Sequence, residues 1–318
     1  MRAVVACLLL AAGLQTLDVP AQDTRPLRIV VGFAPGGGSD TVTRLIAAEM
    51  AKTLGRAVIV DNKPGANGNI AANDVAKAAP DGNTLLATFN THPVLAALYP
   101  HLPFDPVGDF RAVALLAATP YLLVANPAVP GSNLADVLAR ARADGRTLSF
   151  ATVGSGSPQH LSIERLKATT PVPLTVLHYK GGAPAQNDVL AGHVDMMLAT
   201  VALAMPHVKA GKLKVLAVSS AQRLPSLPTV PTFIQSGVEG FVSEGWYGFL
   251  APAKTPTDVI LRYNQDVNRA LALPSVRAAL QAMGAAPLGG TPEVMEHRMR
   301  DEQRVWTKII HDNAIKPE

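Results

Sequence analysis

Gly32-Phe33-Ala34-Pro35-Gly36-Gly37-Gly38-Ser39-Asp40-Thr41-Val42-Thr43-Arg44 joins a strand to a helix. Before it, Leu27 to Val31 is apolar and β-branched apart from Arg28, the pattern of a buried parallel strand. After it, Val42, Leu45, Ile46, Met50 and Leu54 recur at helical spacing, and Ser39 or Asp40 is placed to cap that helix. The consecutive glycines Gly36, Gly37 and Gly38 let the main chain approach a bound group closely. Unpaired amide N–H groups at the positive end of a helix dipole then favour an anion, with Ser39 at the helix start. The run fits neither G-x-G-x-x-G nor the P-loop, and no lysine follows to meet a phosphate. A small carboxylate is the expected ligand. The plainer alternative is a glycine-rich turn whose helix start meets only water.

At 318 residues the chain is expected to form two domains of ordinary size, each able to bury a core. The formal net charge is +4, but Lys and Arg are scattered rather than gathered into a stripe, which argues against nucleic acid. Arg2, the apolar run Ala3 to Leu14 and Val19-Pro20-Ala21 read as an export signal cut after Ala21. Residues 1–21 are therefore assigned to the signal, and the product is expected to be exported. That apolar run is too short to span a membrane, and the mature chain is expected to be soluble. The single cysteine, Cys7, falls inside the signal, so no disulfide or thiol chemistry is expected.

Strand and helix patterns then alternate: Ala57–Val60, Ile70–Ala79, Thr84–Thr88, then a short helix headed by Asn90-Thr91. This rhythm predicts a parallel sheet with helical crossovers. Ala112–Ala117 and Tyr121–Ala125 read as two strands separated by Pro120, a candidate crossing point. A second alternating set occupies 147–219, and the prolines of 223–231 make another irregular passage. Trp246–Ala251 reads as a strand, and helices follow over Thr257–Leu271, Ser275–Met283 and Pro292–Asp312. Helices at the end of a chain often return to cover its first domain. The expected organisation is thus one lobe from 22–122 and 223–318, a second from 123–222, and a cleft between them.

Thr152-Val153-Gly154-Ser155-Gly156-Ser157-Pro158-Gln159-His160 repeats the device of the opening stretch in the second lobe, with Ser157 as helix cap and Pro158 in the first turn. In open α/β sheets ligands bind beyond the carboxyl ends of strands, where both turns lie. A nucleophile elbow would need G-x-S-x-G, and Gly156 stands where its serine belongs. An exported serine-dependent hydrolase using Ser155, Ser157 or His160 remains the competing class. The histidines show no metal-ligand spacing, so neither metal nor cofactor is expected. Asp188 is a candidate for a ligand hydroxyl or amine, or is a solvated carboxylate. Asn90 and Thr91 are placed to select the distal part of a ligand, or to cap a helix. Trp246 and Tyr247 form a cleft wall or pack the hinge.

Taken together, Arg28 to Asp40, Asn62-Lys-Pro-Gly-Ala-Asn-Gly-Asn-Ile70, Ala79-Pro-Asp-Gly82, Leu102-Pro-Phe-Asp105, Gly154 to His160, Tyr179-Lys-Gly-Gly182, Gly192-His-Val-Asp195 and Trp246-Tyr-Gly248 resemble the Bug family. These are the TctC-like periplasmic solute-binding proteins of tripartite tricarboxylate transport systems. The resemblance spans nearly all of the mature chain in the right order. It implies a type II, Venus-flytrap α/β fold with a mainly parallel sheet in each lobe. It also implies a carboxylate held in a pincer by main chain around Phe33 to Ser39 and Thr152 to Ser157, Gly154 included. Implied partners are a small organic carboxylate and a membrane permease of the tripartite tricarboxylate type, or else a sensor kinase; the chain is expected to be a monomer. Asn83 and Asn90-Thr91-His92 depart from the family's commoner pattern, the latter where the ligand would be chosen.

Overall fold

The computed structural model describes residues 24–33, 35–99, 101–179 and 181–316; the expected export signal and Cys7 lie outside them. Leu27–Val31 (β1) pairs in parallel with Val58–Asn62 (β2) and Thr84–Phe89 (β3), after crossovers through Gly38–Leu54 (α1) and Asn69–Ala76 (α2). Alternation along β1 sends Leu27, Ile29 and Val31 to one core and Val30 to another. Helix α1 covers the first core, while Ala71, Ala72 and Val75 of α2 cover the second. A short helix, Leu95–Leu98 (α3), leads towards a 16-residue strand, Phe110–Ala125 (β4), buried at every position except Arg111.

The sequence pattern divides β4 at Pro120, and the structure keeps it whole. Residues up to Pro120 pair with the later strand Glu244–Pro252, and from Tyr121 onwards the partners belong to a second sheet. The proline sits where the ladder changes hands, so its missing N–H removes no regular bond. Tyr121 N–H is met by the Ser219 side chain at 2.8 Å.

Leu134–Ala143 (α4), a helix not expected from the sequence, comes first, and from there the second sheet follows the expected order. Leu148–Thr152 (β5), Pro158–Thr169 (α5), Leu174–His178 (β6), Gly182–Ala191 (α6), Met196–Thr200 (β7), Val201–Lys209 (α7) and Lys214–Val218 (β8) complete it. β5 is parallel to β6 and β7, and β4 runs antiparallel to β7 and β8. The chain returns as β9 (Glu244–Pro252), antiparallel to β3 and β4 in the first sheet. Helices Thr257–Ala272 (α8) and Pro274–Ala282 (α9), the short strand Ala286–Pro287 (β10) and the long helix Pro292–Asp312 (α10) close the fold. Helices thus cover both faces of each sheet, with the parallel strands grouped at the outside and the antiparallel pairs at the crossing.

The second crossing comes later than the expected boundary at 222. Phe233, Val238 and Phe241 lie in the core of the second lobe, Leu224, Leu227 and Val230 pack on its other face, and Val218 bridges to Thr232. The prolines of 223–231 obscure any period there, so apolar anchoring by isolated leucines reads as a connector. Among the described residues no helix is long and apolar enough to cross a membrane.

Trp246 is fully buried and donates its indole N–H to Glu302 Oε2 at 2.8 Å, fastening the crossing strand to α10. Burial pushes the Glu302 carboxyl up, and Glu244 adds to that, against the bonds from Trp246 and Arg298. Replacing Glu302 by Ala leaves that N–H without an acceptor and is expected to cost about 1–3 kcal/mol in urea unfolding. Glu302→Gln retains an acceptor and should cost clearly less; equal losses would show that the indole bond contributes nothing.

Candidate functional site

A cleft of about 700 Å³ opens between the carboxyl ends of the strands of the two lobes. Phe33, Gly36, Gly37, Asn67, Phe89 and Thr91 line it from the first lobe. From the second come Val153 and Ser157 to Gln159 beyond β5, Gly181 to Ala183 beyond β6, and Leu198 to Thr200 with Ala202 and Leu203 around the end of β7. None of the described lining residues carries a charge. The described walls offer main-chain groups and uncharged polar side chains.

The first turn differs in one respect from its sequence reading. Helix α1 begins at Gly38 with Gly37 as its cap residue, and no side chain caps it. Ser39 and Asp40 lie inside the first turn, and the Asp40 carboxylate folds back to accept the Gly36 N–H at 2.9 Å. Asp40 also accepts from Asn62 Nδ2 at 2.9 Å and Arg44 Nε at 2.9 Å. Burial alone would push that carboxyl up; the bonds from Arg44, Gly36 and Asn62 outweigh it and hold Asp40 below the usual range. Asn62 in turn donates to the Phe33 carbonyl at 3.0 Å. The Gly36 amide is thus committed internally, and the amides left at the helix start are those of Gly37, Gly38, Ser39 and Asp40. Gly38 is required for a steric reason: a Cβ there would come within 2.4 Å of the Tyr247 hydroxyl.

In the second turn Ser157 caps α5, its Oγ accepting the His160 N–H at 3.2 Å. The Gly156 N–H points to His160 Nδ1 at 3.0 Å, and Ser157 N–H reaches the Gly154 carbonyl at 3.3 Å. Ser155 Oγ donates to the Lys316 carbonyl at 2.5 Å. Because Nδ1 accepts from Gly156, the His160 proton sits on Nε2, which faces Glu164 at 3.7 Å. No serine hydroxyl of the turn donates to it. Thr152 is fully buried, with Oγ1 2.9 Å from His178 Nδ1, and Gly154 holds φ at 137°.

The remaining expected residues are distributed unevenly. Asn90 is buried behind the cleft and its Oδ1 has no partner, as is true of Ser39 Oγ. Asp188 lies along α6, accepting from Tyr179 OH at 2.6 Å and 3.5 Å from His193 Nδ1; it is not among the residues that line the cleft. What the sequence reading passed over is the start of α6. Gly181 has φ of 114°, caps that helix without any side-chain bond, and lies in the cleft wall with Gly182 and Ala183. Tyr179-Lys-Gly-Gly182 carried the signal, a glycine pair between a strand and a helix, but no capping serine drew attention to it. Gln159, with Oε1 buried and unpartnered, is a second lining residue not singled out.

His92, which follows Asn90-Thr91, has a structural role. It is buried, places Nε2 2.7 Å from the Pro106 carbonyl and meets the Phe110 ring edge-on. That bond requires the proton on Nε2 and fixes the loop just beyond Thr91.

The model of the tripartite tricarboxylate transporter family receptor, TctC, matches residues 42–315. Protein BugT of Bordetella pertussis is 31% identical over 317 residues, covering 99% of this chain and 97% of its own. Rpa4515 of R. palustris, solved with adipate, superposes with a TM-score of 0.81 at 34% identity, covering 93% of this chain and 99% of that one. MatC of Rhodopseudomonas palustris, solved with bound malate, gives a TM-score of 0.76 at 36% identity, over 91% and 99% of the two chains. The two-lobed periplasmic binding fold expected from the sequence is the fold these neighbours share.

Burial holds His92 down at about 4, against its ordinary 6.5. Unfolded chains then bind a proton that the native state refuses, so stability due to neutral His92 is complete above about pH 6.5 and is lost as pH falls towards 4. Over that window the loss should be roughly 3 kcal/mol, and His92→Gln should flatten it. Denaturant unfolding at pH 7, 5.5 and 4.5 measures this; identical pH slopes for the two proteins would reject it.

Proposed function

The chain belongs to the tripartite tricarboxylate transporter receptor family, and from that premise we propose how it works. It is a periplasmic solute-binding protein that closes on the carboxylate of a small organic acid and performs no chemical step. The headgroup sits between the first-turn amides of α1 and the helix starts of the facing lobe, with the main chain of Phe33, Gly37, Ser39 and Ser157 nearest to it. We assign Gly36, Thr152, Gly154 and Ser155 to shaping these two turns, Asn90 to the floor behind the distal end of the ligand, and Asp188 to orienting Tyr179. The lobes run from 22–122 with the chain beyond Ser243, and from 123 to about 243. Removal of residues 1–21 on export leaves a monomer, which delivers its ligand to a membrane permease of the tripartite type or to a sensor kinase.

The observation that carries this reading is a cleft whose described walls are uncharged, yet onto which several helix starts converge. Each charge-assisted N–H bond to a carboxylate contributes about 1.5–3 kcal/mol, and micromolar binding needs about 8 kcal/mol. About four such bonds are enough before ordering costs are subtracted. The competing hydrolase finds no support in the second turn, where His160 is engaged by Gly156 and Ser155 by Lys316, so no hydroxyl has a base.

Thermal unfolding of the mature protein against a panel of mono-, di- and tricarboxylates, aromatic acids, amino acids and sugars tests the proposal. A carboxylate at about 100 times its dissociation constant should add about 2.7 kcal/mol, a shift of several degrees. Gly38→Val, which drives a side chain into Tyr247 and displaces the start of α1, should abolish that shift. Response to a sugar alone, or a Gly38→Val protein that binds carboxylates normally, would overturn the reading.

A further inference from the structure

We propose that the segment following α10, Asn313 to Lys316, positions the second ligand turn by tying it to the first lobe. The proposal rests on the cleft being the binding site. Helix α10 starts deep in the first lobe, with Met295 and Met299 packed among Leu115, Trp246 and Leu250. It ends against the second, where Trp306 and Ile310 share a cluster with Leu161 of α5 and with Val94 and Leu98 of the first lobe. Beyond its end the chain reverses. Ala314 takes a left-handed φ of 48°, Ala314 N–H bonds the His311 carbonyl at 3.1 Å, and Ile315 N–H bonds the Ile310 carbonyl at 3.0 Å.

This reversal, unusual for a residue with a side chain, tucks Ile315 under the helix into the same cluster, where it is only 8% exposed. The next carbonyl, that of Lys316, is then presented to the Ser155 hydroxyl at 2.5 Å. On its other side the turn rests on α3: a Cβ at Gly156 would lie 3.0 Å from Leu98 Cδ2. The second glycine-serine turn is therefore gripped between Leu98 and the segment after α10, both carried by the first lobe.

Two consequences follow for the site. The Ser155 hydroxyl donates its hydrogen bond to the Lys316 carbonyl, so it is a positioning group rather than a ligand donor. The turn's orientation depends on residues some 160 positions away in sequence. Main-chain donors cannot swing to meet a ligand as a lysine does, so their fixed direction decides what they hold.

A double-mutant cycle tests this with four proteins: the full chain, Ser155→Ala, a chain ending at Asn313, and the two changes together. Amide hydrogen exchange of residues 153–157 is read without any ligand, and that of 181–183 serves as the internal control. Exchange in the second turn should speed up about tenfold in each single variant and no further in the double, while the control segment stays unchanged. Ile315→Ala, which keeps the chain length, should reproduce part of the effect if truncation disturbs folding more widely. With adipate as probe, the dissociation constant should rise about tenfold in either single variant, again without addition in the double. Unchanged exchange in the single variants, or effects that add, would overturn the proposal. Exchange that behaves as expected in a protein that binds no carboxylate would leave the tie standing and remove the function assigned to the cleft.

Discussion

On the proposed reading an anion is held without help from a charged side chain among the described walls, and such a grip depends on donors whose direction is fixed, a constraint that bears on both turns. In the first, the Asp40 carboxylate gathers the Gly36 N–H, Asn62 and Arg44 into one network behind the helix start. Asn62 extends that network to the Phe33 carbonyl. In the second, His160 performs the corresponding task through Gly156, while its own N–H engages Ser157. Each turn thus spends some of its amides on its own rigidity. The carboxylate of Asp40 is tolerated beside an anion seat because Arg44 lies against it, so the network as a whole adds no net charge.

Relative placement of the turns depends on the crossing elements. β4 belongs to both sheets along a single run, and β9 returns from the second lobe directly into the first. Two strands alone would permit the lobes to pivot. Helix α10 adds a third element on the same side, fastened at one end through Trp246 and Glu302 and at the other through Trp306 and Ile310. Pivoting must then rearrange side-chain packing between α10 and α5, which is a small sliding of packed helices rather than the bending of a free linker.

Much of this was legible in the sequence because it follows from short-range patterning. Leu27 to Val31 and its helix, the capping Ser157, and the alternating units of 147–219 all announce themselves by periodicity and turn chemistry. Other features were hidden because they depend on partners far along the chain. Pro120 reads as a break until β9 is seen to hand the strand over to β7 and β8 at that residue. Leu224, Leu227 and Val230 have no period of their own and take their meaning from the face they cover. Asp40 looks like a cap by position, yet its preference for Gly36 is set by Arg44 and Asn62 arriving from one turn and one strand away. The bare start of α6 went unnoticed because the usual signal for a helix terminus is a capping side chain, and here the cap is Gly181. Asn83 accepts from Arg56, which also bonds the buried Tyr263, a partnership spanning 207 residues.

A receptor has to release what it captures, and the choice of donors bears on that as much as on capture. An arginine or lysine in the cleft would bring a full charge that loses its water on closure and regains it on opening. The attraction between two whole charges in a low-dielectric space is steep, and a closed state built on it would be slow to open. Helix starts present only partial charges, whose interaction falls off within the first turn. Each bond is then worth little alone, and the total depends on several of them being made together by two facing lobes. If the headgroup is held as proposed, separating the lobes by a small distance removes one set of bonds at once and leaves a weaker remainder. Grip and release are thereby linked to the same movement, which is why the rigidity of the individual turns and the freedom between the lobes are complementary requirements.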